Sequence, residues 1–469
     1  MPHILQVILL IFVVVMSFNI IIFVHELGHF LAAKWRGLQV DRFQIWFGRP
    51  IWKKEINGVQ YGLGWIPAGG FVALPQMAPM ESIEGGNKNE KPLPPITPLD
   101  KIIVAFAGPL FSMLLALLAA VIVWGVGKPK DFIPTQIVGE VIPNEPAEKA
   151  GIRAGDKILK INGKTINGFA GSLDSIQENI ILSEGTQIEF LVERKDSPSP
   201  IKIISEFKTE ETKWYQRKGL RQVGILPQTD HIVLGEISKG GPAARAGLQP
   251  GDQLVSMNGQ KFTSSALAVA LVKEAGLNPI EFEITRDGKP LKFTASPLVP
   301  ISPQGLGPKL GIAFSAQPYA NESIVHPGPF EQIGETVRMM WTTITKVIAP
   351  QSGINVSHLS GPVGIAKLQY QLLQTDEGWR RILSFMVLFN VNLAILNMMP
   401  FPVLDGGHIT LAILEKIFGR PVKAKPLEIV QTACALALIS LMLFVTSKDI
   451  GDGFGRGREK SEEIIFPAN

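Results

Sequence analysis

The sequence predicts an α-helical membrane protein with four transmembrane helices and two β-rich domains between the second and third spans. Three observations predict it. Four apolar runs are long enough, or nearly so, to cross a bilayer. Only 18% of the 469 residues are charged, against about 25% in an average soluble chain. The stretch 132–316 contains no such run, regains charge, Gly and Pro, and repeats part of itself at an offset of 96 residues. The net charge of +4 is too small to point to nucleic acid. The single cysteine, Cys434, excludes a disulfide within the chain, so any domain outside the cytoplasm is held by packing.

Residues 4–24 carry no charge, and the helix they open is expected to run on as a transmembrane span over 4–33. A cleaved signal peptide is disfavoured, because no Lys or Arg precedes the run and no cleavage site follows it. Lys34 and Arg36 come after it instead. The positive-inside rule therefore places the N-terminus outside and the end of this helix at the cytoplasmic face. A cytoplasmic β loop is expected at 40–75, where Asn57-Gly58 marks a hairpin turn. Val59, Tyr61, Leu63 and Trp65 alternate with residues that include Gly62 and Gly64. A strand face bearing two glycines lets another backbone come close, or simply packs tightly within its own hairpin. Residues 78–98 read as a linker, and 102–126 as the second span, with Ala107-Gly108-Pro109 predicting close helix contact or a kink.

The repeat pairs 139–166 with 235–262. Each copy predicts a strand, a short helix (Pro146–Gly151, Pro242–Gly247), a Gly-Asp turn, a second strand and an Asn-Gly turn. Domains are expected at 132–220 and 221–316. Over 328–350, Phe330, Ile333, Val337, Trp341, Ile344 and Val347 recur at helical spacing, which predicts an amphipathic helix at the membrane surface; packing on the second β-rich domain is the alternative. The last part, 360–469, holds a third span at 381–399 and a fourth at 428–446. The third includes Asn390, Asn392 and Asn397, and amides in a membrane helix need partners.

The chemistry-bearing stretch is His25-Glu26-Leu27-Gly28-His29, an H-E-x-x-H match at the inner end of the first span. On a helix, His25 and His29 share a face and can hold one Zn²⁺, with Glu26 beside them as a proton acceptor. A catalytic zinc site needs a third protein ligand. The first and third spans run in the same direction, so their inner ends meet at one depth, where Leu404-Asp405-Gly406 lies. Asp405 is the first candidate and His408 the second.

HELGH in the first span, Phe106-Ala107-Gly108-Pro109 in the second, Gly361-Pro362-Val363-Gly364-Ile365 before the third, and the N-x-x-P-x-P-x-L-D-G run from Asn397 to Gly406 together resemble the site-2 protease family of intramembrane zinc metalloproteases. The repeated units resemble PDZ domains of the circularly permuted bacterial type, so within that family the chain resembles the bacterial RseP type. The resemblance covers nearly the whole chain. It implies zinc on His25, His29 and Asp405, Glu26 as general base, and Asn397 binding substrate backbone or a developing oxyanion. It further implies that the Gly62–Gly64 strand is the edge that pairs with an unwound substrate. The PDZ likeness implies carboxylate-cradling loops at Val223–Leu226 and Leu310–Ala313. Many members carry Asn where this chain has Ser112. The implied activity is cleavage of single-span membrane proteins such as anti-sigma factors, and also of remnant signal peptides, in the lipid bilayer of the bacterial inner membrane. The PDZ units would lie outside and the active-site loop on the cytoplasmic side. A non-catalytic PDZ-bearing adaptor is the alternative, and it would need neither HELGH nor the LDG motif.

Overall fold

The computed structural model describes residues 3–77, 96–229, 231–261, 265–303, 305–317, 323–375, 377–420, 424–455 and 464–467. Most of the expected linker at 78–98 lies outside the described residues. The chain divides into two compact units. One comprises 1–129, 324–343 and 359–449, and the other 130–323, 344–358 and 450–469.

The first unit is built on helices α1 (His3–Trp35), α2 (Pro98–Val126), α4 (Pro362–Gln374), α5 (Gly378–Asn397), α6 (Asp405–Phe418) and most of α3 (Pro329–Ile348) and α7 (Ala424–Gly455), whose last residues are counted with the second unit. Among the described residues, four of these are long and apolar enough to cross a membrane: α1, α2, α5 and α7. Their exposed side chains include Ile8, Phe12, Leu114, Leu118, Ile439 and Leu443, a surface suited to lipid rather than water.

α2 is the hub, packing against α1, α5 and α6. Its buried face runs Ala105, Gly108, Ser112, Ala116, Ala120 and Val123, a line of mostly small residues three and four apart that lets backbones approach. α1 crosses it where a Cβ on Gly28 would sit 2.4 Å from the Ala107 carbonyl oxygen. The glycine inside HELGH is thus a helix-crossing point. α2 starts on a capping box: Thr97 accepts from the Asp100 amide and Asp100 accepts from the Thr97 amide. Asp100 also bonds Arg36 at 2.7 Å, tying the end of α1 to the start of α2.

Strands β1 (Arg42–Ile56) and β2 (Val59–Ala73) make one folded-over sheet. Arg42–Ile45 pairs with Gln60–Leu63 on one side and with Gly70–Ala73 on the other, while Trp52–Ile56 pairs with Val59–Leu63. Gly70–Ala73 is therefore an outer edge, and the Gly62–Gly64 stretch lies inside the sheet.

α3 exposes part of its apolar face. Phe330 and Trp341 are 80% and 69% exposed, while Gln332 and Thr336 are buried and Ile333 packs against Ala119, Ala120 and Val387. Gln332 donates from Nε2 to the Ala120 carbonyl of α2 at 3.1 Å, so this end of the helix packs on α2.

The second unit contains two β-rich segments. One has a four-stranded sheet in the order Lys164–Thr165, Lys157–Ile161, Gln187–Glu193, Ile201–Glu206. The other has five strands in the order Lys289–Ala295, Ile280–Arg286, Gln253–Met257, His231–Ile237, Ile312–Gln317. Each encloses its own core, around Phe190 in the first and Phe282 in the second. The repeated residues make the same bonds in both. Arg194 grips Asp156 with Nε at 2.7 Å and Nη2 at 2.8 Å and also donates to the Gly151 carbonyl. Arg286 does the same to Asp252, at 2.6 and 2.7 Å, and to Gly247. Asn162 and Asn258 each accept a backbone N–H, from Glu189 and Glu281, at 2.9 Å. The repeated Gly-Asp and Asn-Gly pairs are therefore turn-locking residues.

Candidate metal centre and its surroundings

The site forms where α1, α2 and the start of α6 meet. His25 and His29, one turn apart on α1, point their Nε2 atoms at each other across 3.3 Å. Asp405 faces both, with Oδ2 3.2 Å from His25 Nε2 and Oδ1 3.4 Å from His29 Nε2. One ligand atom from each of the three residues fits within 4.8 Å.

The backbone around Asp405 explains its position. It is the first residue of α6. A Cβ on Gly406 would lie 2.2 Å from the Met398 carbonyl oxygen, and one on Gly407 2.1 Å from that of Phe401. Only with two glycines can the Met398–Pro402 segment fold back against the helix start and bring Asp405 to the histidines. Gly108 opens the other side, since a Cβ there would meet His29 Nε2 at 2.2 Å and His25 Nε2 at 2.9 Å.

The outward nitrogens are held as well. His29 Nδ1 is 2.8 Å from the Val104 carbonyl oxygen. A carbonyl only accepts, so Nδ1 carries the proton and Nε2 presents its lone pair. His25 Nδ1 is 2.9 Å from the hydroxyl of Ser112, which is fully buried. Among the described residues, Asp405 Oδ2 is buried with no hydrogen-bond partner, and the polar atom facing it is His25 Nε2. Two imidazole nitrogens and a carboxylate thus converge on one point, and a cation there satisfies all three. The donor set, two His and one Asp with second partners on the His rings, fits zinc. His408 lines the same cavity but is not part of the ligand cluster. Burial pushes its imidazole below the ordinary value.

A cavity of about 360 Å³ opens beside these groups, lined by Glu26, Asn397 and Gly69–Val72 among others. A Cβ on Gly70 would lie 3.5 Å from Glu26 Cγ, so the outer edge of the sheet runs past the acid. Asn397 Nδ2 is 3.3 Å from His25 Nε2. Of the residues singled out in the sequence, His25, Glu26, His29, Asp405 and Asn397 come together here. Gly62 and Gly64 do not. Gly62 is paired to Gln44 and Lys53, and Gly64 to Pro50. A Cβ on Gly64 would sit 2.3 Å from the Phe47 carbonyl oxygen, so that glycine serves close packing inside the sheet.

A model of peptidase family M50 matches residues 12–441. The chain belongs to peptidase family M50. It is 28% identical over 449 residues to Protease RseP of Yersinia pestis and 29% identical over 449 residues to Regulator of sigma-E protease RseP of Escherichia coli. It is 27% identical over 455 residues to the protein of the latter name from Salmonella typhimurium. Each match covers 91% of this chain and 95% of the relative. For this M50 chain, two features of the centre had no sequence signal pointing to them: the Val104 carbonyl and the Gly70–Ala73 edge. The family resemblance marked Ser112 only as a departure from Asn; its contact with His25 agrees with its place one turn beyond Gly108 on the same face of α2.

Proposed function

We infer that the chain is a zinc-dependent endopeptidase that cuts single-span membrane proteins in or near the bilayer. The observation that carries this is the meeting of His25, His29 and Asp405 with Glu26 in one cavity bordered by an outer β edge. His25, His29 and Asp405 would hold the zinc, which would supply Lewis acidity toward the scissile carbonyl. Glu26 accepts the proton of the attacking water and returns it to the leaving amine. Asn397, whose amide nitrogen lies beside His25, binds the substrate backbone.

A transmembrane substrate hides its peptide bonds within helical hydrogen bonds, so it must unwind locally before it is cut. The Gly70–Ala73 edge offers the freed groups new partners by strand addition. This assigns to 70–73 the role that the resemblance suggested for Gly62 and Gly64.

The positive-inside rule, applied to the basic residues of the 35–101 loop and of the segment after α6, supports a topology with those parts in the cytoplasm and with the N-terminus and residues 132–316 outside a bacterial inner membrane. The two β-rich segments, read as PDZ units, then screen substrates before they reach the site. Anti-sigma factors already trimmed by another protease and remnant signal peptides fit that arrangement.

Glu26→Gln tests the proposal in a membrane cleavage assay with a tagged single-span substrate. Loss of product with the protein still folded is expected, and cleavage at the wild-type rate would refute it.

A further inference from the structure

Ile464–Pro467 belongs to the second unit and lies along the second β-rich segment. The Ile465 amide donates to the Ser302 carbonyl at 2.9 Å, and the Ile301 amide donates to the Ile465 carbonyl at 2.7 Å. Arg245 donates from Nη2 to the Pro467 carbonyl. Phe466 is 7% exposed. Its ring rests on two glycines: a Cβ on Gly241 would come within 3.1 Å of it, and one on Gly311 within 2.9 Å.

The internal repeat shows that this seat is particular to the second segment. At the offset of 96, Gly241 corresponds to Glu145 and Ser238 to Ile142. In the first segment the glycine of the matching loop is Gly224, and the atoms nearest to its would-be Cβ are Cβ and Cγ of Glu145, at 2.3 and 2.8 Å. The first segment fills the position with its own side chain. The second has glycine there, and Phe466 occupies the space left.

The seat adjoins a cavity of about 870 Å³ between the helix Ser265–Ala275 and the strand Ile312–Gln317. Val269, Val272, Leu310 and Phe314 supply apolar lining, Lys273 and Lys309 supply charge, and Ile464 forms part of the wall. Backbone pairing, a ring seat and an Arg-held carbonyl are the components of a site for an extended peptide.

We propose that Gly241, Gly311 and Arg245 form a binding site for an extended apolar segment carrying an aromatic residue followed by Pro, and that Ile464–Pro467 is its resident ligand. A second segment of this chemistry enters only when the resident one leaves. Because it is attached to the same chain, the resident segment holds a large advantage in effective concentration.

The test uses a fluorescein-labelled peptide of residues 461–469 (SEEIIFPAN) and purified protein in detergent, read by fluorescence anisotropy. A chain ending at Gly455 should bind it at least ~10-fold more tightly than the full chain, in line with loss of the intramolecular competitor. Gly241→Glu in the shortened chain, which restores the residue type found at 145, should abolish binding. Equal binding to both chains, no binding to the shortened chain, or binding that survives Gly241→Glu would overturn the proposal. A second measurement needs only the full chain. The Ile465 amide should be protected from hydrogen exchange and lose that protection in Phe466→Ala. An unprotected amide in the unaltered chain, or unchanged protection in the variant, would also overturn it.

Discussion

Replacing Gly108 by Ala tests the geometry of the metal centre without touching any ligand. The added methyl carbon would start 2.2 Å from His29 Nε2, 2.5 Å from His29 Cε1 and 2.9 Å from His25 Nε2. A relaxed carbon–nitrogen contact is about 3.5 Å, so His29 must retreat by roughly 1 Å. Moving the helices apart instead would break the close packing of α1 on α2 at Gly28, whose Cα sits directly against the Ala107 backbone. Zinc ligand distances tolerate only about ±0.2 Å, and a misplacement of 1 Å at a reacting centre costs on the order of 10²-fold. Zinc affinity and cleavage should therefore both fall by about that factor. Helix propensity does not oppose the change, since Ala is favoured over Gly by about 1 kcal/mol. The assay is zinc content by mass spectrometry after equilibration in chelator-buffered zinc, with cleavage measured on the same samples. Gly125→Ala is the control, because among the described residues nothing lies within 4 Å of the position its Cβ would take. A Gly108→Ala protein with wild-type zinc affinity and activity would refute the packing argument.

Three further outcomes follow from the same geometry. Glu26→Gln should lower cleavage by about 10²–10⁴-fold, the usual range for a lost general base, while bound zinc per chain stays unchanged. Ser112→Ala removes the partner of His25 Nδ1 and should weaken zinc binding by about 10–100-fold, as loss of a partner behind a ligand does; titration against a competing chelator measures it. In the sheet, Gly62→Ala should be tolerated, its nearest new contacts being 3.5 Å away, whereas Gly64→Ala should disrupt the hairpin, at 2.3 Å from the Phe47 carbonyl oxygen. Limited proteolysis of the two variants separates these outcomes, and equal behaviour would contradict the assigned pairing.

The four membrane-length helices and the convergence of HELGH with Asp405 were legible because apolar length and ligand spacing are properties of the chain itself. Direction alone put the inner ends of the first and third spans at one depth. The β loop was legible only as strands. Residues 59–66 alternate as a strand should, but whether their sides are covered depends on partners elsewhere in the chain. The pairing of Arg42–Ile45 between Gln60–Leu63 and Gly70–Ala73 turns the glycine-bearing stretch into an interior strand and exposes the next one as the edge. The Val104 carbonyl has no residue type to mark it. The place of Phe466 depends on a glycine at 241 that means nothing until the first repeat shows what usually fills the space.

Proteolysis by this chain requires a zinc centre whose third ligand is Asp405. Cleavage of a tagged single-span substrate in proteoliposomes, comparing Asp405→Ala with His408→Ala, measures that requirement. No product is expected from Asp405→Ala, substantial product from His408→Ala, and loss of wild-type activity on chelation with recovery on adding zinc. Wild-type cleavage by Asp405→Ala, or activity that survives chelation, would contradict it.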